Sequence, residues 1–135
     1  WAVNDADAAD ALYTYGLSVG TAFQITDDVL DYTGEKTMTG KRRGQDLAER
    51  KMTLPLLIAM EREPSIRERL LQGNPSPERI PALLERVHAS GATDAALQEA
   101  RDLVNTGLQA LNTLPESEHR DALESLAHHL VDRIA

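Results

Sequence analysis

Apolar residues recur at intervals of three and four along almost the whole sequence, and this spacing constrains the fold more than any other feature. In the first segment the spaced residues are Ala8, Leu12, Tyr15, Val19, Ala22 and Phe23. This is the period of one face of an α-helix, whereas the period-two alternation of a half-buried strand is almost lacking. The sequence therefore predicts an all-α fold with about five to six helices and short connections, forming one domain over residues 1–135.

Breaks in the pattern predict where the helices begin and end. The first helix is expected over about residues 7–31, with Gly34 as its C-cap. The second is expected over about 46–63, where Pro55 either kinks it or begins a new helix. Three more helices are predicted after the turn cluster at 72–81, with Thr93 as the N-cap of the second and the last one following Ser117.

Charge and composition exclude several classes of function. The 135 residues are 41% hydrophobic, which suits a globular domain, and the net charge of −8 argues against nucleic-acid binding. The sequence has no cysteine, so neither a disulfide framework nor a thiolate metal site is expected, and a cytoplasmic location is predicted. No apolar run reaches the roughly 18 residues of a transmembrane helix.

Three aspartates at the end of the first predicted helix need an explanation. Asp27, Asp28 and Asp31 share one helical face, where each like-charge pair costs roughly 0.2–0.5 kcal/mol. The negative end of the helix dipole opposes each carboxylate by about another 0.3–1 kcal/mol. A bound Mg²⁺ would offset both effects, since carboxylate oxygens are its preferred ligands. The alternative is a solvated acidic helix end without a ligand.

A basic, glycine-flanked segment follows the acidic cluster. Lys41, Arg42 and Arg43 lie between Gly40 and Gly44, where the backbone can approach a ligand and lysine can pair with phosphate. Taken alone, such a segment is typical of a solubilising surface loop, and Arg42 and Arg43 fit that interpretation. Together with the aspartates, it favours a site for a diphosphate–Mg²⁺ substrate.

These motifs, in this order, resemble the C-terminal half of the trans-isoprenyl (polyprenyl) diphosphate synthases, and most closely long-chain members such as octaprenyl diphosphate synthases. The similar stretch begins "GLSVGTAFQITDDVLDYTGEKTMTGKRRGQDL" and contains the second DDxxD motif with the preceding pair Phe23 and Gln24. It continues through G-K-x-x-G-x-D-L, from Gly40 to Leu47, and K-x-T-L-P-L, from Lys51 to Leu56. The resemblance extends over essentially the whole chain and implies the C-terminal half of an isoprenoid-synthase helical bundle.

The resemblance implies a reaction and assigns residues to it. An allylic diphosphate ionises, isopentenyl diphosphate attacks the carbocation, and a proton is lost, so the departing diphosphate must be stabilised. Asp27 and Asp28 are expected to hold Mg²⁺, with Asp31 completing the metal motif through waters or Lys51.

Four residues are assigned to the substrate by the same resemblance. Lys41 and Lys51 are expected to contact the allylic diphosphate. Gln24 is expected to orient the ligand or metal-bound waters. Phe23 is expected to line the apolar tunnel or to belong to the core.

The resemblance also implies that something is missing. The first aspartate-rich motif of the family has no counterpart here, and the sequence begins at Trp1 without methionine, so we expect a fragment. The fragment alone is expected to be inactive, and the longer protein to be a homodimeric enzyme. The alternatives are a non-catalytic helical partner or dimerisation subunit, and another all-α diphosphate enzyme, such as a squalene- or terpene-synthase relative.

Overall fold

A computed structural model describes residues 6–33 and 42–134, and every regular element in these two ranges is helical. The α-helices are α1 (Ala6–Thr33), α2 (Gln45–Ala48), α3 (Leu54–Arg62), α4 (Pro64–Leu71), α5 (Ile80–Ala89), α6 (Ala92–Leu111) and α7 (Glu118–Ile134), with a 3₁₀ turn at Pro77–Arg79. The predicted all-α class is confirmed. Within these ranges, no helix has both the length and the apolar character needed to cross a bilayer.

Prolines explain why the structure has more helices than the sequence predicted. The region predicted as one helix over 46–63 divides into α2 and α3, because Pro55 occupies the first turn of α3. Proline suits that position, since its missing N–H would have no partner in the first turn and its φ is already helical. Pro64 begins α4 in the same way. The described ranges thus contain seven α-helices instead of five to six.

Two of the predicted helix starts can be compared with the structure. Ser117 accepts a hydrogen bond from the Arg120 N–H at 3.1 Å, so it caps α7 as expected. The prediction for Thr93 is wrong, because α6 begins at Ala92 and the Gly91 carbonyl accepts the Ala95 N–H at 3.0 Å. Thr93 is buried within the first turn. The C-cap predicted at Gly34 lies outside the described residues.

The described residues form two compact units, and the first comprises 6–24 with 99–134. Within it, α1 and α6 approach closely at Gly107, where a Cβ atom would lie 2.8 Å from Val19 Cγ2. The Tyr15 hydroxyl donates a 2.7 Å hydrogen bond to the Leu123 carbonyl and thereby joins α1 to α7. Phe23 and Gln24 are at the end of the α1 portion of this unit.

The second unit comprises residues 25–98 and contains the two motifs that follow the acidic cluster. Here α3 packs against α4 and α5, while α2 packs against α5. The buried core residues are Tyr32, Leu47, Leu56, Ala59, Ile66, Leu70, Leu83, Leu84, Val87 and Ala92. Burial of these side chains supplies most of the driving force for this unit, since apolar area removed from water is the dominant favourable term in folding.

Gly44 is the point at which the chain before α2 lies against α5. Its φ of +81° is a conformation that residues with a side chain rarely adopt. A Cβ atom at this position would lie 2.7 Å from Ile80 Cγ2 and 3.3 Å from Leu84 Cδ1. Both the backbone conformation and the close approach therefore require glycine at position 44.

Candidate diphosphate site

The three aspartates at the end of α1 do not share one environment. Asp27 and Asp28 are half-buried, so each residue keeps part of its surface exposed. The side chain of Asp31 is 0% exposed. A charged group is buried only when other groups compensate the lost hydration, so the surroundings of Asp31 decide its role.

Two hydrogen bonds join Asp31 to Gly44, just before α2, and to Asp46, within α2. Its Oδ1 accepts the Asp46 N–H at 3.1 Å, and its main-chain carbonyl accepts the Gly44 N–H at 2.9 Å. Gly44, the N-cap of α2, has no side chain with which to cap the helix. The Asp31 carboxylate thus satisfies an N-terminal amide of α2, although the two residues are 15 positions apart in the sequence.

Asp46 is part of the G-K-x-x-G-x-D-L motif, but no function was predicted for it from the sequence. It is 1% exposed, and its main-chain carbonyl accepts the Lys51 N–H at 2.8 Å. Asp46 therefore connects the end of α1 to the backbone of the lysine-bearing segment before α3. An acidic residue in the first turn of a predicted helix was the available indication, but capping alone would explain it.

A buried phenol lies among these carboxylates. Burial is the main cause that raises the pKa of Tyr32 above its usual value, and the Thr53 hydroxyl opposes the rise. The carboxylates that raise the same pKa further are those of Asp31, Asp46 and Asp28. The phenol is therefore a neutral hydrogen-bond donor near pH 7. The Thr53 hydroxyl is near enough to lower the Tyr32 pKa, but neither hydroxyl meets the geometry of a hydrogen bond with any described residue.

Replacing Tyr32 with phenylalanine tests the energetic cost of this buried hydroxyl. We expect Tyr32→Phe to leave the free energy of unfolding unchanged or to raise it by up to about 1 kcal/mol, because no hydrogen bond is lost. Tyr15→Phe is the matched control and should lower it by about 1 kcal/mol, since it removes the bond to Leu123. Urea unfolding measures both. Equal losses in the two variants would contradict the unpartnered state of Tyr32.

The substrate-binding residues predicted from the sequence are distributed as follows. Lys51 is exposed, in the second unit with the aspartates. Lys41 lies outside the described residues. Phe23, 41% exposed, and Gln24, also exposed, lie on α1 in the first unit.

Arg42 and Arg43 are both exposed and contribute to a surface groove that also contains Gln45, Glu49 and Pro77. Their exposure agrees with the solubilising role expected of a surface loop.

The metal prediction is compatible with the environments of Asp27 and Asp28. Within residues 6–33 and 42–134, no three His, Asp or Glu side chains form a group that could hold a metal ion. Mg²⁺ is usually held by only one or two protein carboxylates together with substrate phosphates and water. The half-buried Asp27 and Asp28 meet that requirement, whereas the buried Asp31 lacks the access that water ligands need. The assignment of all three to metal stays a prediction.

The described residues are helical, and the acidic end of α1 is hydrogen-bonded to the segment that leads to Lys51. This arrangement agrees with the motif resemblance, and comparison with known proteins identifies the family. The family model described as polyprenyl synthetase matches residues 2–87. The chain belongs to the polyprenyl synthetase family.

Relatives in this family are considerably longer than the chain. An octaprenyl diphosphate synthase of Haemophilus influenzae is 43% identical over 128 residues, covering 91% of the chain and 39% of the relative. The chain therefore spans less than two fifths of the length of this curated relative.

Two solved structures have the same helical fold over nearly all of the chain. A Caulobacter crescentus polyprenyl synthase, complexed with calcium and isoprenyl diphosphate, matches with a TM-score of 0.82 and 39% identity, covering 97% of the chain and 42% of that structure. A geranylgeranyl pyrophosphate synthase of Corynebacterium glutamicum, complexed with isoprenyl diphosphate and magnesium, matches with a TM-score of 0.81 and 32% identity, covering 96% and 38%.

Proposed function

We propose that this chain is the C-terminal half of a polyprenyl diphosphate synthase domain. In this proposal the longer protein condenses an allylic diphosphate with isopentenyl diphosphate in a Mg²⁺-dependent head-to-tail elongation. The bond between the allylic carbon and its diphosphate breaks, the double bond of isopentenyl diphosphate forms the new carbon–carbon bond, and a proton is lost. The observation that carries the proposal is the hydrogen-bonded junction between the acidic end of α1 and the segment that leads to Lys51.

The donor set at the end of α1 fits a hard divalent cation. Asp27 and Asp28 are two partly exposed aspartates, and the divalent ions in the two related structures support this assignment. When bound, Mg²⁺ would supply charge stabilisation for the departing diphosphate. We propose that Asp31 completes the motif without binding the ion directly.

The remaining assignments concern the substrate. We propose that Lys51 and Lys41 provide positive charge for the diphosphate oxygens, since lysine is an effective point-charge partner for phosphate. Gln24 is proposed to orient the ligand or water, and Phe23 to contact the prenyl chain. The cationic and metal groups together act where charge develops as the carbon–oxygen bond breaks.

An activity measurement on two proteins tests the function. The full-length protein, supplied with an allylic diphosphate, radiolabelled isopentenyl diphosphate and Mg²⁺, is expected to form extended prenyl diphosphates, and EDTA should abolish the reaction. The 135-residue chain alone is expected to be inactive, because it carries one aspartate-rich motif of the two that the resemblance implies. Elongation by the isolated chain would refute its expected inactivity.

The alternative is a non-catalytic helical partner or dimerisation subunit of a prenyl synthase. The presence of all five motif residues favours the enzyme, because a subunit without catalysis has no chemical use for the complete set: Asp27, Asp28, Asp31, Lys41 and Lys51. If the full-length protein neither elongates nor binds an allylic diphosphate, but stimulates a separate synthase, the alternative is correct. The predicted homodimeric state of the full-length protein is measured independently by analytical ultracentrifugation.

A further inference from the structure

We propose that Asp31 is a positioning residue that fastens the segment over residues 44–51, which ends at Lys51, to the end of α1. In the same proposal, Asp27 and Asp28 face the ion. This inference rests on the proposed function and divides the DDxxD motif into two roles. The first two carboxylates bind the ion, and the third holds in place the segment that leads to Lys51.

Burial separates Asp31 from the other two aspartates. Its side chain is fully buried, whereas Asp27 and Asp28 are half-buried on the same helix. Mg²⁺ retains several water molecules in most protein sites, so its ligands need solvent access. A carboxylate enclosed by protein and bonded to a main-chain amide is suited to orienting backbone instead.

Two oxygen atoms of Asp31 accept hydrogen bonds from two amides that are two residues apart. The carbonyl oxygen accepts from Gly44 at 2.9 Å and Oδ1 accepts from Asp46 at 3.1 Å. The two bonds together fix both the position and the direction of the chain as it enters α2. The Lys51 N–H then bonds to the Asp46 carbonyl at 2.8 Å, so the position of Lys51 depends on the same junction.

The opposite side of the junction is equally constrained. Gly44 lies against Ile80 and Leu84 of α5, with no space for a Cβ atom. The segment is thus held between α5 on one side and Asp31 on the other. Loss of the Asp31 carboxylate would release one side only, so the unit should remain folded while Lys51 loses its position.

Kinetics of the full-length protein test the proposal. Asp31→Ala is expected to raise KM for the allylic diphosphate and to lower kcat/KM by about 100-fold, since small displacements of positioning groups have effects of this order. Asp31→Asn keeps an oxygen that can accept the Asp46 N–H, so it should recover activity to within about 10-fold of wild type. The half-saturating Mg²⁺ concentration should stay unchanged in Asp31→Asn and rise in the matched variant Asp27→Asn.

Amide hydrogen exchange of Gly44 and Asp46 gives a readout that needs no activity. Both amides are expected to be protected in wild type, and the Asp46 amide to lose protection in Asp31→Ala but to keep it in Asp31→Asn. The proposal is overturned by unprotected wild-type amides, by wild-type kinetics in Asp31→Ala, or by a raised Mg²⁺ requirement in Asp31→Asn. A lower Tm with unchanged KM would also overturn it, because that is the result for a merely structural residue. Protected amides in an inactive wild-type protein would instead refute the proposed function.

Discussion

Replacing Asp27 or Asp28 with asparagine in the full-length protein should lower kcat/KM for prenyl elongation by about 1,000-fold. Removal of one group that stabilises developing transition-state charge costs on the order of 10²–10³ in rate, and loss of metal affinity adds to it. Asparagine keeps the size of each side chain but removes the negative charge that attracts Mg²⁺. Steady-state kinetics over a range of Mg²⁺ concentrations measure the effect, and high Mg²⁺ should restore part of the activity.

Glu85→Gln is the control for this experiment. Glu85 is an exposed carboxylate on α5 and belongs to none of the motifs, so its variant should retain wild-type kcat/KM and Mg²⁺ dependence. If the Asp27 and Asp28 variants behave like Glu85→Gln, the two carboxylates are a solvated helix end and the metal assignment is incorrect.

Leu56→Ala is expected to lower the free energy of unfolding by about 3 kcal/mol, the largest stability effect predicted for this chain. Leu56 is 0% exposed in the core of the second unit, and truncation of a buried leucine removes transfer free energy and leaves a cavity. The loss is large compared with the roughly 5–15 kcal/mol stability of a typical domain. Denaturant unfolding of the full-length protein, followed by circular dichroism, measures it.

The neighbouring Leu57 provides a control on the same helix. It is 46% exposed, so Leu57→Ala should cost less than about 1 kcal/mol. Equal losses for the two variants would mean that the exposed face of α3 is covered in the full-length protein. A small loss for Leu56 would mean that the second unit does not depend on this core.

Local chemistry explains how much of the fold could be predicted from the sequence. Apolar spacing identified the helical class, because a period of three to four residues is a local property of the chain. Pro55 indicated either a kink or a new helix, and the structure has a new helix, since proline fits the first turn without loss of a hydrogen bond. Thr93 was misleading, because Thr is a common N-cap, yet the neighbouring Gly91 takes the position before α6.

The residue types of the candidate site were predictable from the sequence, but the different environments of its three aspartates were not. The aspartates and lysines could be found because their chemistry and spacing are visible in the sequence. The burial of Asp31, its bond to the Asp46 amide and the neutral phenol of Tyr32 depend on contacts between residues distant in the sequence. No periodicity or motif spacing encodes which of three aspartates will be covered by another segment.

The junction at Asp31 also limits where the chain can change length. Both bonds end on one residue, so the two-residue step from Gly44 to Asp46 must match the span between a carbonyl oxygen and a carboxylate oxygen of Asp31. An inserted or deleted residue within that step would keep one bond only by breaking the other. For homologues that share this junction, we therefore expect insertions and deletions to spare the Gly44–Asp46 step, whatever the length of the prenyl chain that they make.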